Sequence, residues 1–274
     1  MGLGLVSGLG LNTAQGQTSE PAPGTGLPLW EIGLAGAALS QPAYPGAADR
    51  AQRLLGAPYL VYRGETLRVD RGSAGLRAIR TPNFELDVGF SGSLGSRAED
   101  VAARRGMADL GTLVEFGPRL KWNLGPADGP TRWRLELPAR GVFDLSNGLA
   151  QRGIAIEPEW LLEHRTAGGL RTSAGLGVVW GNQRLADTFY RVDAGEATAD
   201  RSAYAARPGL MAWRLSASVS QQLAPGLRLF GYGRLDSLTG AANRDSPLVQ
   251  RASGLTVGLA LAYTWKQSTE RASD

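Results

Sequence analysis

From Trp30 to Trp265 the sequence alternates apolar with polar or small side chains, in segments of about ten residues separated by clusters of Gly, Pro, Asp and Asn. Few folds tolerate that pattern over so much of a chain. Strand side chains alternate with period two, so each segment has two distinct faces. In the last one, Leu255, Val257, Leu259, Leu261, Tyr263 and Trp265 share one face and Thr256, Gly258, Ala260, Ala262 and Thr264 the other. Within 210–223, Trp213, Leu215, Ala217 and Val219 oppose Arg214, Ser216, Ser218, Ser220 and Gln222. The middle of the chain repeats the division with charges. Phe84, Leu86, Val88 and Phe90 oppose Glu85, Asp87, Ser91 and Ser93, and Val114, Phe116, Leu120 and Trp122 oppose Glu115, Arg119 and Lys121. Trp133, Leu135, Leu137, Ala139 and Phe143 stand against Arg134, Glu136, Arg140 and Asp144, and Ile154, Ile156, Trp160 and Leu162 against Glu157, Glu159, Glu163 and Arg165.

Two architectures bury such segments: a soluble sandwich, whose apolar faces meet each other, and a membrane barrel, whose apolar faces meet lipid. Alternation alone does not separate them. Aromatics near segment ends, small residues on the polar face and connections that alternate short with long favour the barrel. Downstream of the leader no run approaches the roughly 18 apolar residues of a helical span, which excludes a helical membrane protein. The chain has no Cys and one His, so thiol nucleophiles, thiolate metal sites, disulfides and mechanisms needing two imidazoles are excluded together. The formal charge of +4 comes from Arg scattered through apolar segments, which reads as a lining and not as a nucleic-acid surface.

The short links are Gly64–Glu65, Ala167–Gly169, Ala224–Gly226 and, slightly longer, Gly125–Thr131; they read as periplasmic turns. The long links, Gln41–Gln52, Gly95–Leu110, Ser146–Arg152, Gln183–Gly209 and Thr239–Ala252, read as extracellular loops. With both termini in the periplasm, Thr66–Arg80 must be a short hairpin turning near Gly72, which gives about twelve antiparallel strands in a closed up-and-down meander, or ten if that hairpin lies outside the wall. Residues 1–16 read as a signal peptide, with an apolar stretch and then Ala14 and Gly16 at the small-residue positions but no basic start. Residues 17–29 read as a flexible periplasmic lead-in, 30–265 as the barrel and 266–274 as a charged tail.

Several pieces, in this order, make the chain resemble the MipA/OmpV family of outer-membrane proteins. They are WEIGLAGAAL from Trp30, Tyr44-Pro45-Gly46, PYLVYRG at Pro58–Gly64 and ARRGMADLGTLVEFGPRLKW at Ala103–Trp122, then DTFYRV, Pro208-Gly209 and YGRLDSLTGAANRDSPLVQ at Tyr232–Gln250. Asp245-Ser246-Pro247-Leu248-Val249 is the most specific of them. The charged tail after Trp265 departs from the terminal aromatic usual in such barrels. The resemblance implies a non-enzymatic envelope role: a scaffold or anchor joining a murein hydrolase and a murein synthase in peptidoglycan turnover, or else a small porin-like channel or surface adhesin. It implies outer-membrane lipid as the surroundings, and no cofactor.

The residues expected to line the lumen are Arg134, Glu136, Arg140, Glu157, Glu159, Glu163, Arg171, Arg214, Arg228 and Arg234. Those expected to face lipid as girdle aromatics are Trp122, Trp133, Trp160, Trp180, Trp213, Tyr263 and Trp265. Glu157, Glu159 and Glu163 share a face and suit either a cation site or a glycosidase carboxylate pair; the more ordinary reading is cross-strand pairing with inward Arg134, Arg140 and Arg171. His164 reads as an interfacial or turn residue, because a general base needs a nucleophile and an orienting partner. Gly175–Gly177 lacks the Lys-Ser/Thr of a phosphate loop. Tyr190 and Arg191, in the longest loop, are the positions expected to make external contacts.

Overall fold

In the computed structural model, which describes residues 28–63, 67–70, 73–81, 83–93, 95–125, 129–270 and 272, thirteen strands form one antiparallel sheet. They are β1 (Trp30–Pro42), β2 (Arg50–Arg63), β3 (Leu67–Asp70), β4 (Ser73–Arg80), β5 (Phe84–Ser93), β6 (Leu113–Leu124), β7 (Thr131–Asp144), β8 (Ala150–Ile156), β9 (Glu159–Arg165), β10 (Arg171–Gly181), β11 (Gly209–Ala224), β12 (Leu227–Ser237) and β13 (Ser253–Gln267). Each pairs with its neighbour in sequence except β8 with β9, and β13 pairs with β1 from Glu31↔Gln267 to Ser40↔Val257, so the sheet closes on itself. Closure removes the exposed edges that an open sheet presents.

β8 and β9 are two halves of one stave, since both pair with β7 and β10. The break falls at Pro158, which has no N–H to give. The ladder nevertheless continues across it through Glu157 N–H to the Pro138 carbonyl and Val178 N–H to the Pro158 carbonyl, both 3.1 Å. Thirteen strands thus make twelve staves, as the alternation anticipates. The 66–80 hairpin is in the wall as β3 and β4, paired from Leu67↔Leu76 to Asp70↔Ser73; the turn at Gly72 lies outside the described residues, as do the leader and nearly all of the lead-in. β13 runs two residues past Trp265, through Lys266 and Gln267, and Ser268 N–H then bonds to the Trp30 carbonyl at 2.9 Å.

Among the described residues, the outer face of the wall is apolar. Leu34, Phe84, Phe116, Leu137, Ile156, Leu176, Leu215, Leu235 and Leu259 all point outward, with exposures from 41% to 62%. A soluble monomer does not leave a continuous apolar belt on its surface, and with a single closed sheet there is no second sheet to cover it. The belt is the lipid-facing surface of a membrane barrel. The start of β1, the end of β13 and the described short turns lie at one end, here the turn end; the long connections lie at the other, the loop end.

A capped and charge-filled barrel

The inward side chains form three tiers. Nearest the turn end, Arg119 sits between Asp87 (2.7 Å) and Glu136 (3.6 Å), Lys121 between Glu85 (3.0 Å) and Asp87 (2.8 Å), and Arg134 between Glu136 (3.3 Å) and Glu163 (3.2 Å). Above them Arg140 bridges Glu115 (3.6 Å) and Glu157 (2.9 Å), Arg214 bridges Glu157 (3.3 Å) and Asp236 (2.8 Å), and Arg234 reaches Asp236 at 2.9 Å. Asp87, Glu136 and Glu163 are only 6–7% exposed, so water scarcely reaches this layer. Charges removed from water must be paired, and here the acids and bases interlock across neighbouring staves.

Of the lining residues read from the sequence, Arg134, Glu136, Arg140, Glu157, Glu163, Arg214 and Arg234 meet in these chains. Glu159 is inward as well, and the Ser216 hydroxyl donates to it at 2.6 Å. Arg171 and Arg228 stand in the inward registers of β10 and β12. Leu161, between Glu159 and Glu163, also faces in and is 3% exposed, a departure from a purely polar inner face. Gly175 allows this crowding: a Cβ there would collide with the Glu159 carboxylate and the Ser216 hydroxyl. The opposite wall is built of small groups, Ala35, Ala37, Ala260 and Ala262, around Phe230, Tyr59 and Tyr232. Tyr59 packs against Gly33, whose missing side chain makes room for its ring.

The aromatics stand outward, Trp122, Trp133, Trp160, Trp180, Trp213, Tyr263 and Trp265 being 42–53% exposed. Trp122, Trp133, Tyr263 and Trp265 lie toward the turn end, with Trp122 stacked on Phe84 at 5.4 Å and Trp133 edge-on to Trp160 at 6.0 Å. Trp180 and Trp213 mark the loop end. His164 faces out at the turn end, its Nδ1 2.8 Å from the Thr131 hydroxyl.

The third tier is the one that the alternation does not reveal. Helix α1 (Gln183–Tyr190) enters the loop-end mouth and packs Leu185, Ala186 and Tyr190 on the inward residues Leu113, Val142, Ala155 and Val179. Asn182 caps it, accepting from Leu185 N–H at 3.1 Å. Glycine at 153 is required for the fit, because a Cβ would strike the Leu185 backbone and the Asn182 side chain. Around α1 the connections β1–β2, β5–β6, β10–β11 and β12–β13 fold over one another with a second apolar centre of Tyr44, Ala47, Val101, Leu110, Val192 and Leu248. The Asp245–Val249 piece ties them together. Tyr44 O–H donates to the Leu248 carbonyl at 2.6 Å, Ser246 O–H to the Tyr190 carbonyl at 2.8 Å, and Leu248 is fully buried. Tyr190 is therefore core, at 1% exposed, and not the external contact expected of it; its ring is the last anchor of α1. Arg191 is exposed and pairs with Asp193.

Burial raises the Tyr44 hydroxyl to about 12, partly offset by the Arg104 cation beside it. Burial likewise holds the Tyr190 hydroxyl well above its ordinary range. Among the described residues no group of His, Cys, Asp and Glu is arranged to hold a metal ion.

Closed meander, apolar belt and a capped, charge-lined interior together define an outer-membrane β-barrel. The chain belongs to the family of the MltA-interacting protein MipA, whose model matches residues 33–265. No curated protein matches it. Among solved structures it is similar to the NanC porin (9% identity, 85% of this chain and 98% of that one, TM-score 0.41). It is also similar to OmpT of Vibrio cholerae (8%, 86% and 98%, 0.38) and to outer membrane phospholipase A from Escherichia coli (13%, 89% and 93%, 0.37).

Proposed function

We propose that this protein is a non-enzymatic anchor in the outer membrane that holds a murein hydrolase and a murein synthase together, with its turn end and both termini in the periplasm. The observation that carries this reading is the stoppered lumen: α1 and the cap occupy the mouth, and the arginines below are bound into ion pairs. An anchor needs a rigid wall and two end surfaces, whereas a channel needs a continuous wet path. Short turns face the periplasm in bacterial barrels, so the murein enzymes would meet the turn end. The family name, an MltA-interacting protein, supports a hydrolase as one partner.

Purified protein in detergent, immobilised and offered a lytic transglycosylase and a murein synthase, should retain both. Replacing the turn at 166–170 should weaken retention, and replacing the exposed tip at 145–149 should not. Retention of neither enzyme contradicts the proposal. A porin-like role has one observation in its favour, the small-residue wall of Ala35, Ala37, Ala260 and Ala262, which leaves one side of the lumen lightly filled.

A further inference from the structure

Closure leaves one stretch of strand edge open. The hairpin of β3 and β4 is short and covers β2 only near the turn end, through Tyr62↔Val69 and Arg63↔Arg68. On its other side it meets β5 from Arg80↔Glu85 to Leu76↔Val88. Toward the loop end, among the described residues, β2 from Arg50 to Pro58 is paired with β1 alone and β5 from Gly89 to Ser93 with β6 alone. These two edges bound an opening in the side of the barrel. The hairpin closes it below, and above it the β1–β2 and β5–β6 connections meet, where Ala102 N–H donates to the Asp49 carboxylate at 2.8 Å. Arg50–Pro58 spans roughly 26 Å of strand at about 3.3 Å per residue. Pro58 suits an edge, since it has no N–H to present to a missing neighbour.

Exposure along β2 agrees. Arg53, Leu55 and Ala57 register with the inward residues Leu39, Ala37 and Ala35, so they too face the lumen. Arg53 and Ala57 are nevertheless exposed, whereas Val61 and Arg63, on the same inward face next to the hairpin, are 0% and 8% exposed. The lumen is reachable through the opening. What lies behind it is apolar: Ala35, Ala37, Ala260 and Ala262 form a wall of small groups around Phe230, and the ion pairs of the first two tiers stand on the staves from β5 to β12.

Outside, the opening adjoins the lipid-facing surface. Leu54 is 86% exposed, and Ala38, Ser40, Arg53, Leu54 and Leu259 line an open groove of about 580 Å³. Leu54 and Arg53 belong to both the groove and the open edge. Backbone at membrane depth goes without a strand partner only where it is covered or lines a water-filled cavity, so the N–H groups of this edge take an acceptor from the lumen or from the membrane. A partner strand would have to cross the headgroups to reach it, whereas lipid is already in contact. Arg50 and Arg53, both exposed, stand at the loop end of the edge, where their charge complements a lipid phosphate.

We propose that the opening between β2 and β5 admits one acyl chain of a phosphate-bearing membrane lipid from the leaflet at the loop end. The chain lies on the small inner wall, and the head stays at the rim with Arg50 and Arg53, its oxygens accepting from N–H groups of the edge. This side entrance is distinct from any path along the barrel axis, and it holds or fails apart from the anchor reading.

The test is photo-crosslinking of the folded full chain in vesicles of phosphatidylethanolamine and phosphatidylglycerol, with part of the phosphatidylglycerol carrying a diazirine at the end of one chain. Fragment mass spectrometry assigns adducts to single residues. Outward Leu255 and Leu259 are the internal control and should be labelled; the proposal requires adducts on inward Ala37, Tyr232 or Ala260 as well. Ala57→Trp, which adds bulk at an exposed inward position of the edge, should lower the inward yield roughly tenfold and leave the outward yield unchanged. Heat-modifiable gel migration confirms that the variant keeps its barrel. The same diazirine on a diacylglycerol, which has no phosphate, should label the inward residues severalfold less. Adducts confined to outward residues overturn the proposal, as they would if a strand covered the opening. Inward adducts that Ala57→Trp leaves unchanged also overturn it, and equal inward labelling by the diacylglycerol overturns the role given to the phosphate.

Discussion

Leu248 offers the sharpest perturbation of the cap. It is fully buried, and its carbonyl, which survives substitution, accepts from Tyr44. Leu248→Ala therefore removes packing and leaves that hydrogen bond chemically available. Buried Leu→Ala changes cost about 2–5 kcal/mol, the upper part of the range applying where neighbours cannot collapse into the space. Tyr44, Val101 and Val192 are fixed by three different connections, so collapse is restricted and about 3 kcal/mol is the expected loss. That corresponds to roughly a 150-fold rise in the open fraction of the cap. Trypsin reads it directly, because Arg201 is buried and is cut only when the cap opens. Where opening and closing are fast, the cutting rate follows the open population, so cleavage after Arg201 should accelerate about a hundredfold. Heat-modifiable migration should persist, since the staves are untouched. A lipid-facing control, Leu259→Ala, should leave the rate alone. An unchanged cutting rate in Leu248→Ala would show that Leu248 does not hold the cap and refute the reasoning.

Three further outcomes are expected. Arg134→Leu leaves Glu136 and Glu163 with a lost partner in a nearly dry layer, and should cost about 3–5 kcal/mol, seen as a lower guanidinium midpoint for loss of the folded gel band. Gly33→Val should impair folding into micelles by displacing the Tyr59 ring and straining against the Tyr263 carbonyl, and a compensating Tyr59→Ala should recover part of the yield. Tyr44 titrates near 10 when unfolded and near 12 in the cap, so its contribution is complete below pH 10 and is lost as pH rises to 12. Near-ultraviolet circular dichroism should show the cap loosening across that window, and Tyr44→Phe should reduce the change while itself costing about 1 kcal/mol.

The wall was legible because period two survives in nearly every segment, from Phe84–Phe90 to Leu255–Trp265, and each stave buries one face and shows the other to lipid. The hairpin of β3 and β4 followed from parity. The cap is harder to read, because long connections between strands carry no period of their own that shows internal packing. A cue existed: Asn182 followed by Leu185, Ala186, Phe189 and Tyr190 is a capped helix with one apolar stripe, which would have moved Tyr190 from the surface to the core. Ser246 and Leu248 stand out in the sequence only as a family pattern; their role is to tie the cap together. Arg104 could not be found from sequence, because its burial depends on connections that are distant along the chain, those of Tyr44 and Arg201.

On this reading α1, the cap and the interlocked charges leave no continuous path through the barrel. Planar-bilayer recording of the purified chain at single-channel resolution tests it most directly. The expected record is flat for the native protein, with conductance steps appearing once Leu248→Ala loosens the mouth. Stable, frequent steps from the native protein would contradict the account and favour a porin-like one.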